Sequence, residues 1–362
     1  MKINTAKLKM ALDNLKRITP RRASLPILSC VLMKAENGYL EMTASNLDEY
    51  QLERVACDGD LAPCCVGRER LGYAIGGDET TIELIRDDMK VCYGRNEVTL
   101  KTQPADQFPE WPKFDFEAVG IPCRDVAEGI DAVSWAACAN ESRHTLMSVY
   151  IIGGPKSIEC VSTNGYQLAL WKGDLISDVF NALVPIASCA NLCAALVNDG
   201  AEFQTSENMI QVEHDFGSYA TKQIDGQYPD FRALTGSIAN RIEIGSLKIA
   251  ELMDIFNRCD FYSDPRKTPV ASIEFSKVGA EIKSVGVDSG MVFFIDGSFQ
   301  KWSIDVRPDA FKSCLRAIKS DSTKFFGASN IAVMEYGNVQ IYTNGLRVES
   351  KESKKENQED AK

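Results

Sequence analysis

The chain is poor in the residues that carry acid–base and metal chemistry. Among 362 residues there are two histidines, His144 and His214. Neither stands beside a nucleophile motif, so neither makes a general base. G-x-S-x-G, the Walker lysine loop and G-x-G-x-x-G are all missing. The twelve cysteines include no pair at C-x-x-C spacing. The nearest pairs, Cys64 with Cys65 and Cys189 with Cys193, lack the further ligands of a tetrahedral zinc site. They read as small buried hydrophobes. Apolar runs such as "VYII" and "MVFFI" fall far short of the roughly 20 residues that cross a bilayer. The opening "MKINTAKLKMALDNLKR" alternates charged with apolar residues and does not read as a secretory leader. The expectation is a cytoplasmic protein with no membrane segment, metal, cofactor or catalytic residue.

What is present is an ordinary globular composition, 44% apolar and 25% charged, over a length that suits two or three domains. The net charge of −11 argues against indiscriminate attraction to nucleic acid, which needs clustered Lys and Arg. The distribution of charge therefore matters more than its sum.

The sequence repeats. Leu8, Ala11, Leu12, Leu15 and Ile18 share one helix face, as do Val126, Ile130, Val133 and Ala137, and then Ile249, Leu252, Met253 and Phe256. Each helix precedes a strand-like run, "LPILSCVLM" from Leu25, "TLMSVYII" from Thr145 and "TPVASIEF" from Thr268. A second strand follows each: "YLEMTAS", "SIECVST" and "EIKSVGV". Tyr-Gln-Leu occurs just beyond the first two of these, at Tyr50 and Tyr166, 116 residues apart. Second helices are predicted around Arg70–Ile75, from Ile186 to Leu196 after Pro185, and from Phe311 to Ile318 after Pro308. Aromatic-Gly hairpin turns close each unit at Tyr93-Gly94, Phe216-Gly217 and Tyr336-Gly337, since glycine takes positive φ without steric cost. "KTQPADQFPEW" and "TKQIDGQYPDF" read as closing strands followed by linkers. These features predict an α+β protein of three tandem copies, residues 1–115, 116–240 and 241–348. Each copy packs two helices on antiparallel sheet. A charged, disordered tail is expected over 349–362.

The run "RASLPILSCVLMKAENGYLEMTASNLDEYQLE", together with "ESRHTLMSVYI", "STNGYQLAL" and "YPDFRAL", resembles the bacterial DNA polymerase sliding clamps, the beta subunits of the replicative polymerase. The likeness covers residues 1 to about 348. It implies the DNA clamp fold, a head-to-tail homodimeric ring whose helices line a hole for double-stranded DNA, and no catalysis. The six predicted helical regions carry 18 Lys and Arg against 13 Asp and Glu, although the chain is acidic overall. That places relative positive charge on the elements that would face DNA.

The resemblance implies DNA contacts at Arg22 and Asn140. Charge clustering adds Lys16, Arg17, Arg21, Arg68 and Arg70. It also implies a groove for polymerase and clamp-loader peptides, formed by Leu146, Thr163, Gly165, Tyr166, Gln167 and Leu168 with Tyr342, Asn344 and Leu346. Tyr166 and Gln167 stand where the family commonly has His-Arg, and "TNGLRV" replaces a terminus containing proline and methionine. Two other readings stay open at this point: a clamp-like interaction scaffold without a DNA role, and a cysteine-dependent enzyme.

Overall fold

The computed structural model describes residues 1–20, 25–238, 240–261, 269–285 and 290–346. Arg21, Arg22 and the 349–362 tail lie outside the described residues. The helices are α1 (Thr5–Leu15), α2 (Arg68–Ala74), α3 (Cys123–Val133), α4 (Ile186–Leu196), α5 (Phe231–Ser237), α6 (Ile249–Phe261) and α7 (Pro308–Ala317). Leaving α5 aside, one order recurs three times along the chain: a strand, a helix, four strands, a helix, three strands.

The predicted helices form because apolar spacing and local caps agree. In α1 the Asn4 side chain accepts from the Lys7 N–H at 3.0 Å, satisfying one of the unpaired donors of the first turn. Leu8, Ala11, Leu12 and Leu15 are buried. Pro308 opens α7, where its missing N–H costs nothing. Pro185 is the N-cap residue of α4, one position before the helix proper.

Three local readings differ from the structure. The run from Leu25 begins as a 3-10 turn, Pro26–Ser29, before its strand Cys30–Glu36. Thr145 likewise sits in the 3-10 segment Glu141–Leu146, ahead of the strand Ser148–Gly153. The linker read from "TKQIDGQYPDF" onward contains α5. Its cap is Asp230, which accepts from the N–H groups of Arg232 at 3.0 Å and Ala233 at 3.3 Å.

Internal contacts divide the chain into two compact units. The first comprises Met1–Asp131, Ile151–Ile158 and Leu175–Asp225, and the second Ala132–Tyr150, Glu159–Asp174 and Gly226–Lys362. The first unit holds a twelve-stranded sheet in the order Lys2–Asn4, Glu79–Ile85, Asp88–Tyr93, Asn96–Pro104, Leu61–Gly67, Cys30–Glu36, Tyr39–Ser45, Glu49–Asp58, Gly217–Lys222, Met209–His214, Glu202–Thr205, Glu117–Val119. Lys2–Asn4 also pairs with Glu49–Asp58, through Lys2 opposite Asp58 and Ile3 opposite Cys57. The first eight strands therefore close on themselves. Leu8, Leu15, Met33, Leu40, Met42 and Ile82 fill this core.

In the second unit, Gln167–Gly173 is followed in its sheet by Val339–Asn344, Ile331–Tyr336, Ser322–Ala328 and Ile242–Lys248. A separate four-stranded sheet runs Gly290–Asp296, Gly279–Val285, Ala271–Ser276, Trp302–Val306. Phe256 of α6 stacks on Phe311 of α7 with ring centroids 4.6 Å apart. Phe325 and Phe275 extend the aromatic core. Full burial of each such ring contributes roughly 1.5–3 kcal/mol.

Candidate functional site: two strand joints built alike

The sequence-predicted groove residues gather where the strand Gln167–Gly173 meets Val339–Asn344. Gln167 lies opposite Thr343, Leu168 opposite Tyr342 and Ala169 opposite Ile341. An Asx turn feeds the first strand. Asn164 Oδ1 accepts from the N–H groups of Tyr166 and Gln167, both at 2.9 Å. Gly165 follows at φ +90°, a value that suits a residue without a Cβ. Its N–H donates to Thr163 Oγ1 at 3.0 Å. The Asn344 N–H donates to the Tyr166 carbonyl at 3.1 Å, tying the two strands at their ends.

Around this turn Tyr166 is 69% exposed, while Leu146, Leu168 and Tyr342 are buried. Burial raises the Tyr342 phenol above its ordinary value, and its hydroxyl donates to Gln340 Oε1 at 2.6 Å. Asn344 is exposed and Leu346 half-buried, the latter anchored by its N–H to the Asp305 carbonyl at 2.7 Å.

Gln167 is buried, and its amide is already in use. Nε2 donates to the Ala310 carbonyl at 2.6 Å and to Cys314 Sγ at 2.9 Å, both on α7. Oε1 accepts from Asn164 at 3.2 Å. It brackets the turn to the helix and leaves the rim to half-buried Thr163 and exposed Gly165, Tyr166 and Asn344.

A second joint of the same construction lies in the first unit, where Glu49–Asp58 meets Gly217–Lys222. Glu49 is opposite Thr221, Tyr50 opposite Ala220 and Gln51 opposite Tyr219. Asn46 Oδ1 accepts from the N–H groups of Asp48 at 3.0 Å and Glu49 at 2.7 Å. Leu47 follows at φ +78°, its N–H on Ser45 Oγ at 3.0 Å. The Lys222 N–H donates to the Asp48 carbonyl at 2.9 Å. Asn46 therefore matches Asn164, Asp48 matches Tyr166 and Glu49 matches Gln167. The two Tyr-Gln-Leu tripeptides are two positions out of step, and Tyr50 occupies the place of Leu168. The repeat is real, but the tripeptide identity does not mark its register.

Glu49 plays the bracketing part that Gln167 plays at the other joint. Oε1 accepts from Asn191 Nδ2 of α4 at 2.8 Å and from the Tyr219 hydroxyl at 2.6 Å. Oε2 accepts from Asn46 Nδ2 at 2.9 Å. Burial, and then the Glu49 charge, push the Tyr219 phenol well above its ordinary value, so it remains a donor.

Four residues further along the same face, Glu53 accepts from Asn14 Nδ2 at 3.3 Å and Gln51 Nε2 at 2.6 Å. Burial still outweighs these bonds and the Arg17 charge, and its carboxyl is raised. A carboxyl raised on folding takes up a proton when the chain folds. Its penalty is absent below the unfolded range near about 4.3 and complete above the raised folded value. Glu53→Gln is therefore expected to flatten the loss of stability on going from about pH 4 to pH 7, measured as urea midpoints. An unchanged pH profile would remove Glu53 from that dependence.

The sequence comparisons agree with this architecture. Residues 120–230 match the family model described as DNA polymerase III beta subunit, central domain. Over those residues the chain carries the central domain of the DNA polymerase III beta-subunit family. It is 22% identical over 350 residues to the beta sliding clamp of Rickettsia felis, covering 90% of this chain and 92% of that protein. The beta sliding clamp of Vibrio cholerae is 24% identical over 257 residues, 68% of this chain and 69% of that one. Among solved structures, a sliding clamp (DNA polymerase III subunit beta) from Pseudomonas aeruginosa bound to griselimycin has the same fold. Its TM-score is 0.87 at 20% identity, over 96% of this chain and 99% of that chain.

Of the residues expected to meet DNA, Lys16 and Arg17 are exposed immediately after α1, where cations complement the negative helix end. Arg68 and Arg70 lie on α2, half-buried and exposed respectively. Asn140 is exposed and caps the 3-10 segment, its Oδ1 accepting from Ser142 N at 3.0 Å and Ser142 Oγ at 2.9 Å.

Sequence reasoning missed three parts of the groove region. Asn164 forms the turn; its position before Gly was the available signal. Arg143 closes over Gly165, where a Cβ would lie 2.8 Å from Nη1. Asn330 clamps Gly345, accepting from its N–H at 2.7 Å through the backbone carbonyl and donating to its carbonyl through Nδ2 at 2.8 Å.

The cysteines carry no sign of catalysis. No disulfide joins any of the twelve, and Cys57, Cys92, Cys123 and Cys193 are half-buried. Burial pushes Cys64 up to about 11 and Cys65 and Cys314 up to about 12, which disfavours the reactive thiolate. Among the described residues no helix is long and apolar enough to cross a membrane.

Proposed function

We propose that the chain is a non-catalytic DNA sliding clamp. Two copies close head to tail around duplex DNA, and the groove at the Gln167–Gly173 joint tethers polymerase and clamp-loader peptides. One observation carries this reading. The chain makes the same strand joint twice and keeps both halves of a third. Gly217–Lys222 and Val339–Asn344 each follow a hairpin turn at Gly217 or Gly337, and Asn96–Pro104 follows the matching turn at Gly94. Among the described residues, the edge of Asn96–Pro104 away from its hairpin partner is paired only at Thr102–Pro104. Gly290–Asp296 stands at the end of its sheet, with Phe294 72% exposed. An open strand edge of this kind invites pairing with another chain. A second copy supplies the missing partner at both ends, and such heterologous contacts close a ring when the rotation fits.

Three tandem modules, 1–115, 116–240 and 241–348, are the units of this ring. Topology holds the ring on DNA, so its phosphate contacts are weak and blind to sequence. Lys16, Arg17, Arg68, Arg70 and Asn140 supply them, with Arg21 and Arg22 as further candidates outside the described residues. Each phosphate contact removed is expected to lower the slope of log K against log salt by about 0.9. Lys16→Ala with Arg17→Ala should therefore reduce the slope measured on short duplexes by nearly two such steps. An unchanged slope would take both residues out of the interface.

The decisive experiment is topological. Loaded clamp should stay on nicked circular DNA and fall off when the circle is cut once. Equal retention on both forms would leave only a scaffold, and a lone subunit in solution at working concentration would exclude the ring.

A further inference from the structure

We propose that the exposed side of α2 is a stacking platform for the unpaired bases of single-stranded DNA, with Tyr73 as the platform, Gly72 as the clearance beside it, and Arg68 and Arg70 on the flanking phosphates. It takes DNA as the ligand from the clamp reading above and uses none of the groove residues.

Two neighbouring residues of α2 serve no packing purpose inside the protein. Tyr73 is 83% exposed, the most exposed aromatic among the described residues. A single exposed ring is ordinary on a protein surface; the residue before it makes the difference. Gly72 stands in the middle of the helix, where glycine is a poorer helix former than alanine. Packing does not ask for it, since a Cβ there would meet nothing within 4 Å. Bare backbone of this kind lets a flat ligand come close.

Helical geometry arranges the rest. Successive residues turn by about 100°, so with Leu71 and Ala74 buried Tyr73 projects from the opposite side, flanked by Arg70 and Gly72. Arg68 lies one turn before Gly72. Arg70 is exposed and Arg68 half-buried. α1 packs against α2, and it and the two residues after it add exposed Lys7, Lys9, Lys16 and Arg17 against Asp13. This excess of cations suits a phosphate chain.

A duplex would use the cations without the ring, because its base faces are stacked on one another and it presents only phosphates and base edges. An unpaired strand uses both. Each of its bases has a free face to lay on Tyr73 over the clearance at Gly72, while the adjoining phosphates reach the guanidiniums.

The test uses the full-length protein and a fluorescent oligothymidylate, titrated by anisotropy beside a duplex of the same length. Tyr73→Ala is expected to weaken oligothymidylate binding about fivefold or more and to leave duplex binding unchanged. Tyr73→Trp should keep the affinity and add an emission that the oligonucleotide quenches, read as the difference from the parent with its four tryptophans. Gly72→Gln should raise the melting temperature yet weaken oligothymidylate binding, a pair of signs that a merely structural glycine would not give. Glu69→Gln, which removes the only carboxylate of α2, should strengthen binding.

Equal oligothymidylate affinity in the parent and Tyr73→Ala, an unquenched Tyr73→Trp, or an equal loss on the duplex would each overturn the platform. So would a parent that binds duplex but no oligothymidylate. A parent that binds neither DNA would instead overturn the clamp reading itself.

Discussion

Replacing Gln167 by glutamate is expected to destabilise the second unit by about 3–5 kcal/mol at neutral pH, the cost of a buried charge left without a partner. Gln167 Nε2 donates to the Ala310 carbonyl and to Cys314 Sγ. A carboxylate in its place turns an acceptor toward two acceptors, and the partners of Gln167 are an amide, a carbonyl and a thiol rather than a cation. The group can relieve this only by binding a proton, which lets it donate to Ala310 again. Its folded value is then raised above the unfolded one, so the penalty is absent in acid and grows as pH rises toward the folded value. Urea unfolding at about pH 4.5 and pH 8 should give near-parental stability in the first case and a large loss in the second. Equal losses at both pH values would mean that the bracket to α7 does not carry the joint.

Gly217→Ala is expected to have a comparable effect on the first unit. Gly217 is at φ +154°, and a methyl group there would lie 1.9 Å from the Leu52 carbonyl oxygen and 2.9 Å from its carbon. The obstacle is backbone, so no rotamer change relieves it. Either the strand pairing of Gly217 with Glu53 opens, or φ and ψ shift at a turn that also receives the Arg54 N–H on the Phe216 carbonyl. A loss of about 3 kcal/mol or more follows, since such clashes belong to the severe class of substitutions. For a unit of this size that is roughly 6–12 °C in melting temperature. A Gly217→Ala protein melting within a degree or two of the parent would show that the strands separate at no cost. The matching turn glycines Gly94 and Gly337 meet nothing within 4 Å, so alanine there should act only through φ and cost much less.

How much of this was legible in the sequence follows from the range of the forces involved. α1, α3, α4, α6 and α7 were readable because periodic apolar spacing is a local property. The three hairpin turns were readable because glycine marks positive φ. α5 was missed because a seven-residue helix has too little period to detect, although Asp230 ahead of "FRAL" was the capping signal.

The match between the joints was misplaced by two residues for a different reason. Identical letters at Tyr50 and Tyr166 outweighed the pattern of small polar residues before them. What fixes the register is an Asx turn and a cross-strand bond to a residue more than 170 positions away. Leu47 in the left-handed region could not have been foreseen, since nothing in its type predicts that backbone. The structure brings the residues read from the sequence as a groove into one neighbourhood. Which of them are floor, bracket and rim depended on long-range partners such as Ala310 and Asp305.

Both joints are made mainly of main-chain hydrogen bonds along paired strands. Amides and carbonyls are the same in every residue but proline, so this kind of seam places few demands on side-chain identity beyond a turn-former, a bracket and a glycine where backbones touch. Divergence can then run far through such a chain while its modules stay in register. A molecule sharing about a fifth of its residues with its structural relative can keep the same frame and spend its variation on the surfaces that choose partners.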